Sequence, residues 1–329
     1  IEMVRKQQTA ANGQLRLFIL KSLLITRSIV FCIQLICNFL LSQHQSKDAF
    51  QSQSVRQFFN NSLLFPYFKG FYSWDSQYFL HISLTGYSNE QFLAFFPFQS
   101  LILRFFSINH HLAPLLIILF NCFLHYKIAL IIYEITAILF AKHFAFRTTV
   151  LFLWNPATIF FLAPYSETLY AFFAFSAMLN CLKMSQFNFA TFSYLLLNLS
   201  LANITRSNAI LNFGYLIYFT LIKKLSIFIA TLITLLSLLP YFTFQFFIYQ
   251  KFCVDTLSKP DWCYHQIPIS YAFVQNKYWN VGFLKYYQLK QVPNFVLAFP
   301  VLFLVLYFAK KSFCNKFNLL LFPFILHAL

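Results

Sequence analysis

The chain has 329 residues, of which 60% are hydrophobic and only 10% charged, against about 25% charged in an average soluble domain. Too few polar residues remain to cover a water-facing surface, so the long apolar runs indicate membrane-spanning helices. The net charge of +16 does not mark a nucleic-acid surface: the bases sit in short clusters between apolar runs, the pattern of cytosolic loops under the positive-inside rule.

In chain order, residues 17–42 form the first expected span. It lacks a small-residue cleavage signature and is read as an uncleaved anchor. A long polar window follows over Gln43–Leu93. Phe95–Phe106 is apolar but short and interrupted by Pro97, Gln99 and Arg104, so it is expected to be interfacial. Leu112–Phe140 is a full span. Thr148–Ala163 and Thr168–Met184 follow around the polar hinge Pro164-Tyr165-Ser166-Glu167. Phe189–Ile204 and Asn208–Ile222 flank a second hinge, Thr205-Arg206-Ser207. Ser226–Tyr249 is a clear span, and Gln250–Pro293 is a second long polar-aromatic segment. Asn294–Ala309 and Phe317–Leu329 close the chain. The chain opens on Ile1 and stops inside an apolar run, as a fragment truncated at its C-terminus would.

Placing the N-terminus in the cytosol and leaving Phe95–Phe106 uncrossed puts Lys142/Arg147, Lys183, Lys223-Lys224 and Lys310-Lys311 all on the cytosolic side. The segments 43–111, 164–167, 205–207 and 250–293 then all face the lumen. The expected architecture is a single all-α polytopic membrane domain with two large luminal loops, about 43–111 and 250–293. Cys253 and Cys263 share the second loop and are placed for a disulfide if it is luminal. Asn60-Asn61-Ser62 is a glycosylation sequon in the first.

Only eight residues are acidic, which makes each informative. Asp75 lies in a segment that sets Trp74, Tyr78 and His81 around it at helical spacing. A carboxylate there suits proton abstraction from a sugar hydroxyl, or simply a helix N-terminus. Glu167 is either a substrate contact or a luminal helix start. Arg206 sits away from the cytosolic clusters, where its planar fork suits a phosphate or an interfacial snorkel. Lys277, Lys285 and Lys290 lie among Tyr271, Tyr278, Trp279, Tyr286 and Tyr287, a composition fit for sugar rings and phosphate or for an interfacial belt. No Walker motif, GxGxxG, GxSxG, HExxH or DxD-like pair is present, and no His/Cys cluster suggests a metal. A lumen-facing enzyme without a nucleotide site takes its sugar from a lipid carrier.

These motifs resemble one family. Trp74-Asp75 with Tyr78-Phe79 and His81, then Gly86-Tyr87, then Ala94-Phe95-Phe96-Pro97, is similar to the first luminal loop of the second GPI mannosyltransferases, the PIG-V family. Asn155-Pro156-Ala157 with Tyr165-Ser166-Glu167, and Arg206-Ser207-Asn208 with Asn212 and Gly214, resemble its next two motifs, with Ala209 in a place where the family usually has Gly. The stretch with Gln275, Tyr278-Trp279-Asn280-Val281-Gly282 and Leu284-Lys285-Tyr286-Tyr287, followed by Gln291-Val292-Pro293-Asn294, is the most specific. The resemblance implies a GT-C-type multi-spanning fold in the endoplasmic reticulum membrane with a luminal active site. It implies transfer of the second mannose, α-1,6-linked and with inversion, from dolichyl-phosphate mannose to mannosyl-glucosaminyl-phosphatidylinositol. It also implies no metal or cofactor, and leaves room for a small membrane partner subunit. Asp75 is then the catalytic base, with Trp74, Tyr78, His81, Glu167, Arg206, Gln275, Trp279, Asn280, Lys285 and Tyr286 as substrate contacts. The alternatives are another dolichyl-phosphate-sugar-dependent GT-C glycosyltransferase, which Trp279-Asn280-Val281-Gly282 disfavours, or a lipid transporter or scramblase. Five glycines and polar residues gathered on one side fit the last poorly.

Overall fold

The structure is a computed structural model that describes residues 2–41, 50–60, 62–184, 188–256, 258–282 and 284–312. The expected span Phe317–Leu329 lies outside the described residues, as do Ser42 at the end of the first expected span and residues 43–49 of the first polar window. The fold is all-α, and no strand occurs among the described residues. The helices are α1 (Glu2–Leu40), α2 (Gln53–Phe59), α3 (Phe65–Phe68), α4 (Asp75–Thr85), α5 (Pro97–Phe106), α6 (Ala113–Leu139), α7 (Lys142–Leu153), α8 (Glu167–Lys183), α9 (Phe189–Asn203), α10 (Phe213–Leu221), α11 (Ile227–Tyr249), α12 (Ser270–Trp279) and α13 (Val292–Ser312).

Among the described residues four segments are long and apolar enough to cross a bilayer: Gly13–Leu40, Ala113–Leu139, Ile227–Val254 and Leu289–Tyr307. Their outward faces carry exposed apolar side chains such as Ile25, Ile36, Leu119, Phe123, Leu235, Phe246 and Val296. Such faces are stable against lipid and costly against water. Other expected spans are shorter or divided. Thr148–Ala163 is not one rod: α7 ends at Leu153, and a tight 3-10 turn covers Pro156–Phe161. Pro156 restricts Asn155 to extended backbone, and the Asn155 side chain accepts from the Ala157 amide at 2.8 Å, which starts the new turn. Asn208–Ile222 likewise divides into a 3-10 turn, Ser207–Asn212, and α10. The interfacial segment becomes α5, ten residues long. At about 1.5 Å per residue it reaches about half of a hydrocarbon core.

Packing separates the chain into two compact units. The first comprises residues 1–86 and 97–182. In it α1 and α7 pack on α6, and α4 lies along α5. Its core includes Ile19, Leu23, Ala129 and Leu153. One buried cation holds three of its elements. Arg27 of α1 donates to the carbonyls of Leu153 at 3.0 Å and Thr158 at 3.3 Å, and lies 3.3 Å from Nδ1 of His125. It thereby pairs the last carbonyl of α7, and one of the following 3-10 turn, with a cation.

The second unit comprises residues 87–96 and 183–329. There α9 and α11 pack together, and Asn203 donates to the Ser237 carbonyl at 3.0 Å. Asn188 and Ser226 cap α9 and α11 with their side chains. Cys253 and Cys263 are joined by a disulfide.

Candidate functional site

The first unit builds its site on a strained turn. Trp74 precedes α4 with φ 56 and ψ −127, a conformation costing a non-glycine residue about 1–3 kcal/mol. Four hydrogen bonds hold it there. Ser76 donates to the Phe71 carbonyl at 2.9 Å and Gln77 to the Tyr72 carbonyl. Tyr72 donates to the Pro114 carbonyl at 3.1 Å, and Tyr165 to the Ser73 carbonyl at 3.1 Å. The result is an indole 67% exposed beside the first helical residue, Asp75. The turn is over-determined by its surroundings, and its strain sets a large aromatic surface next to a carboxylate.

Asp75 is the acid of the first turn of α4, where the helix dipole favours a negative charge. The residue in the cap position is Trp74, not Asp75. α4 closes at Gly86, whose φ of 77 would strain any side chain. Burial, and then the charge of Asp75, raises the Tyr78 hydroxyl above its usual value. Burial, and then the charges of Asp75 and Glu167, push the Tyr165 hydroxyl up to about 12. Tyr165 is therefore a neutral donor at physiological pH, and both carboxylates of the sequence motifs act on it. His81 lies 2.8 Å from the Ser52 hydroxyl and packs edge-on against Phe50. Burial lowers its pKa and keeps its ring neutral.

Glu167 opens α8. The hinge before it is carried by Asn121 of α6, which is 2% exposed and donates to the carbonyls of Leu162 and Ala163 at 2.9 and 2.8 Å. Thr168 donates to the Phe161 carbonyl at 3.0 Å. Beside Trp74 opens a cleft of about 710 Å³ whose walls include Phe50, Arg56, Lys69, Tyr72 and Trp74. Asn60 of the sequon caps α2 and also lines it.

In the second unit the residues of three separate motifs converge. Glu90 of the first loop accepts from Lys277 at 2.7 Å and from the Tyr278 hydroxyl at 2.8 Å. The Lys277 pKa rises because of that bond, and the Tyr278 pKa rises through burial and then through the same bond. Phe95 meets Trp279 edge-on, and Phe96 meets Tyr271. Ser207, next to Arg206, donates to the Tyr271 hydroxyl at 2.7 Å, to which Gln275 donates at 3.3 Å. Arg206 is half-buried and precedes the Ser207–Asn212 turn.

Three expected substrate contacts have local structural partners. Asn280 ends α12 in the left-handed conformation, where Asn is tolerated. Lys285 donates to Asn276, and the Tyr286 hydroxyl accepts from Asn294 at 3.1 Å. Among the described residues no three His, Cys, Asp or Glu side chains gather in a way that could hold a metal ion.

The family model described as Mannosyltransferase (PIG-V) matches residues 16–324. The chain belongs to the PIG-V mannosyltransferase family. It is thus a glycosyltransferase of the mannosyl-transferring kind. It is 30% identical to GPI mannosyltransferase 2 of Drosophila pseudoobscura pseudoobscura over 380 residues, 94% of this chain and 83% of that protein. It is 30% identical to GPI mannosyltransferase 2 of Drosophila melanogaster, over 86% of this chain and 73% of that protein. It is 29% identical to human GPI alpha-1,6-mannosyltransferase 2, over 85% of this chain and 65% of the human protein. No solved structure matches the chain.

Within this PIG-V chain the Trp74-Asp75 and Tyr165-Ser166-Glu167 motifs share the first unit. The Arg206-Ser207 and Gln275–Trp279 motifs share the second with Glu90, Phe95 and Phe96. Sequence reading passed over Glu90, Asn121, Arg56 and Lys69. A lone Asn in an apolar span was a usable signal for Asn121, because a polar group in a membrane helix must find a partner. Glu90, one of eight acids and set in a polar segment between spans, offered a similar one.

Proposed function

We propose that the chain transfers the second, α-1,6-linked mannose from dolichyl-phosphate mannose to mannosyl-glucosaminyl-phosphatidylinositol on the luminal side of the endoplasmic reticulum membrane. The reading rests on one observation above the others: Asp75 stands at a strained, over-determined turn beside an exposed tryptophan and a cleft, and Tyr165 of the Glu167 motif donates to the Ser73 carbonyl of that turn. The names of the relatives support the acceptor and the linkage.

The mechanism follows from inversion. The Asp75 carboxylate takes the proton of the acceptor's 6-hydroxyl as that oxygen attacks the anomeric carbon. The bond from that carbon to the phosphate oxygen breaks on the opposite face, and its electron pair leaves with the phosphate. A cation offsets the charge that develops on the leaving group, a role we assign to Arg206. Trp74 supplies a flat apolar surface for a sugar ring, and Tyr78, His81 and Glu167 surround the acceptor hydroxyls. Trp279 and Gln275 add contacts from the second luminal segment, with Asn280, Lys285 and Tyr286 shaping it. The scheme is written without a metal ion or cofactor, with fixed positive charge offsetting the leaving phosphate.

The test is expression in cells that lack the second GPI mannosyltransferase. Surface GPI-anchored proteins are expected to return with the wild-type chain and to stay absent with Asp75→Asn at equal membrane abundance. Near-normal turnover by Asp75→Asn removes the base assignment, and no rescue by the wild type removes the activity.

A further inference from the structure

The cleft beside Trp74 has a charge pattern that the proposed base does not explain. Both of its charged lining residues are cations, Arg56 in the last turn of α2 and Lys69 at the start of the turn before Trp74, and none of its lining residues is acidic. Arg56 donates to Gln51 at 2.8 Å, and neither cation has a carboxylate partner among the described residues. In a chain where eight acids face 24 bases, a cleft of about 710 Å³ has the size of a small-molecule site. Its aromatic residues Phe50, Tyr72 and Trp74 offer apolar surface, and the Ser52 and Ser62 side chains supply hydroxyls. Two unopposed cations recognise an anion, and the arginine fork matches phosphate oxygens. The aromatic faces complement the flat apolar side of a sugar ring. Phosphate and sugar together are the head of a phosphoglycolipid.

We infer that this cleft binds the sugar-linked phosphodiester of a glycolipid, with Arg56 and Lys69 on the phosphate and Trp74 against the adjoining sugar. The ligand class rests on the mannosyl transfer proposed above. Two lipids carry this chemistry: the mannosyl phosphate donor and the phosphoinositol acceptor. Trp74 links the cleft to the reaction because it lines the cleft and is joined directly to Asp75, which does not line it. A ligand whose sugar packs on Trp74 therefore extends from the phosphate end toward the carboxylate.

The experiment measures equilibrium binding to the purified full chain in detergent. The probes are a short-chain polyprenyl phosphate mannose, for the donor, and glucosaminyl-phosphatidylinositol, for the acceptor. The double variant Arg56→Gln/Lys69→Gln is expected to weaken binding of one probe or both by about tenfold or more, the worth of charge-assisted phosphate contacts. The charge-preserving Arg56→Lys/Lys69→Arg is expected to restore most of it. Loss for the polyprenyl probe alone identifies the donor phosphate, and loss for the inositol probe alone the acceptor's. Unchanged binding of both probes, no binding of either by the wild type, or an equal loss in the charge-preserving variant overturns the inference. Because binding is read without turnover, a wild-type chain that binds a probe and transfers no mannose overturns the activity and not the cleft.

Discussion

Trp74 separates strain from function at the level of a single residue. Glycine adopts a φ of 56 without the steric cost that tryptophan bears, and the indole is 67% exposed, so little packing depends on it. Trp74→Gly is expected to keep or raise thermal stability, by up to about 1 kcal/mol. Mannosyl transfer should nevertheless fall by roughly tenfold, the worth of one aromatic contact. A variant that loses both stability and activity identifies Trp74 as a packing residue instead. His81 gives a pH dependence with a definite sign. Burial lowers its pKa below the usual 6.5, so the unfolded chain takes up the proton first as pH falls. The stabilisation by neutral His81 is complete above 6.5 and is lost as pH drops through the lowered native value. Melting temperature is expected to fall below pH 6.5, and His81→Gln to flatten that slope. A parallel slope in the variant excludes His81 as its source.

At the scale of elements, the end of α7 and the segment leading into α8 are held by side chains from other helices. Arg27 of α1 satisfies carbonyls of Leu153 and Thr158, and Asn121 of α6 satisfies those of Leu162 and Ala163. Both are buried polar residues in segments long and apolar enough to span, and each supports the chain that leads to Tyr165 and Glu167. Arg27→Leu is expected to destabilise the protein by about 2–3 kcal/mol, because it leaves buried acceptors without a donor. Membrane abundance and detergent melting temperature measure this, and unchanged values show that the carbonyls find other donors. The spans expected over 148–163 and 208–222 divide at Pro156 and at the Ser207–Asn212 turn. Hydropathy averages over a window and does not register where one proline or one polar cluster ends a helix.

For the molecule as a whole, the Cys253–Cys263 disulfide offers a test of sidedness, since such bonds persist in oxidising compartments. In sealed microsomes a membrane-impermeant maleimide is expected to leave both cysteines unlabelled. After reduction, labelling is expected only once the membrane is opened. Labelling of Cys253 or Cys263 in sealed, untreated microsomes contradicts the luminal placement of residues 250–293. The same placement underlies the reading of Arg206, Gln275 and Trp279 as substrate contacts.

Composition and chain order alone determined the all-α membrane class, the polar segments that carry the motifs and the cysteine pair, because burial in lipid requires long apolar runs and chemistry requires the few polar residues left between them; the family came from the resemblance of those motifs. Tertiary structure alone decided that Tyr165 bonds the turn before Asp75, that Glu90 joins Lys277 and Tyr278 across 187 and 188 positions, and that Arg56 and Lys69 line a cleft with Trp74. Those pairings arise where separate segments close on one another. The sequence shows which residues can bond, but the path of the backbone selects which ones meet.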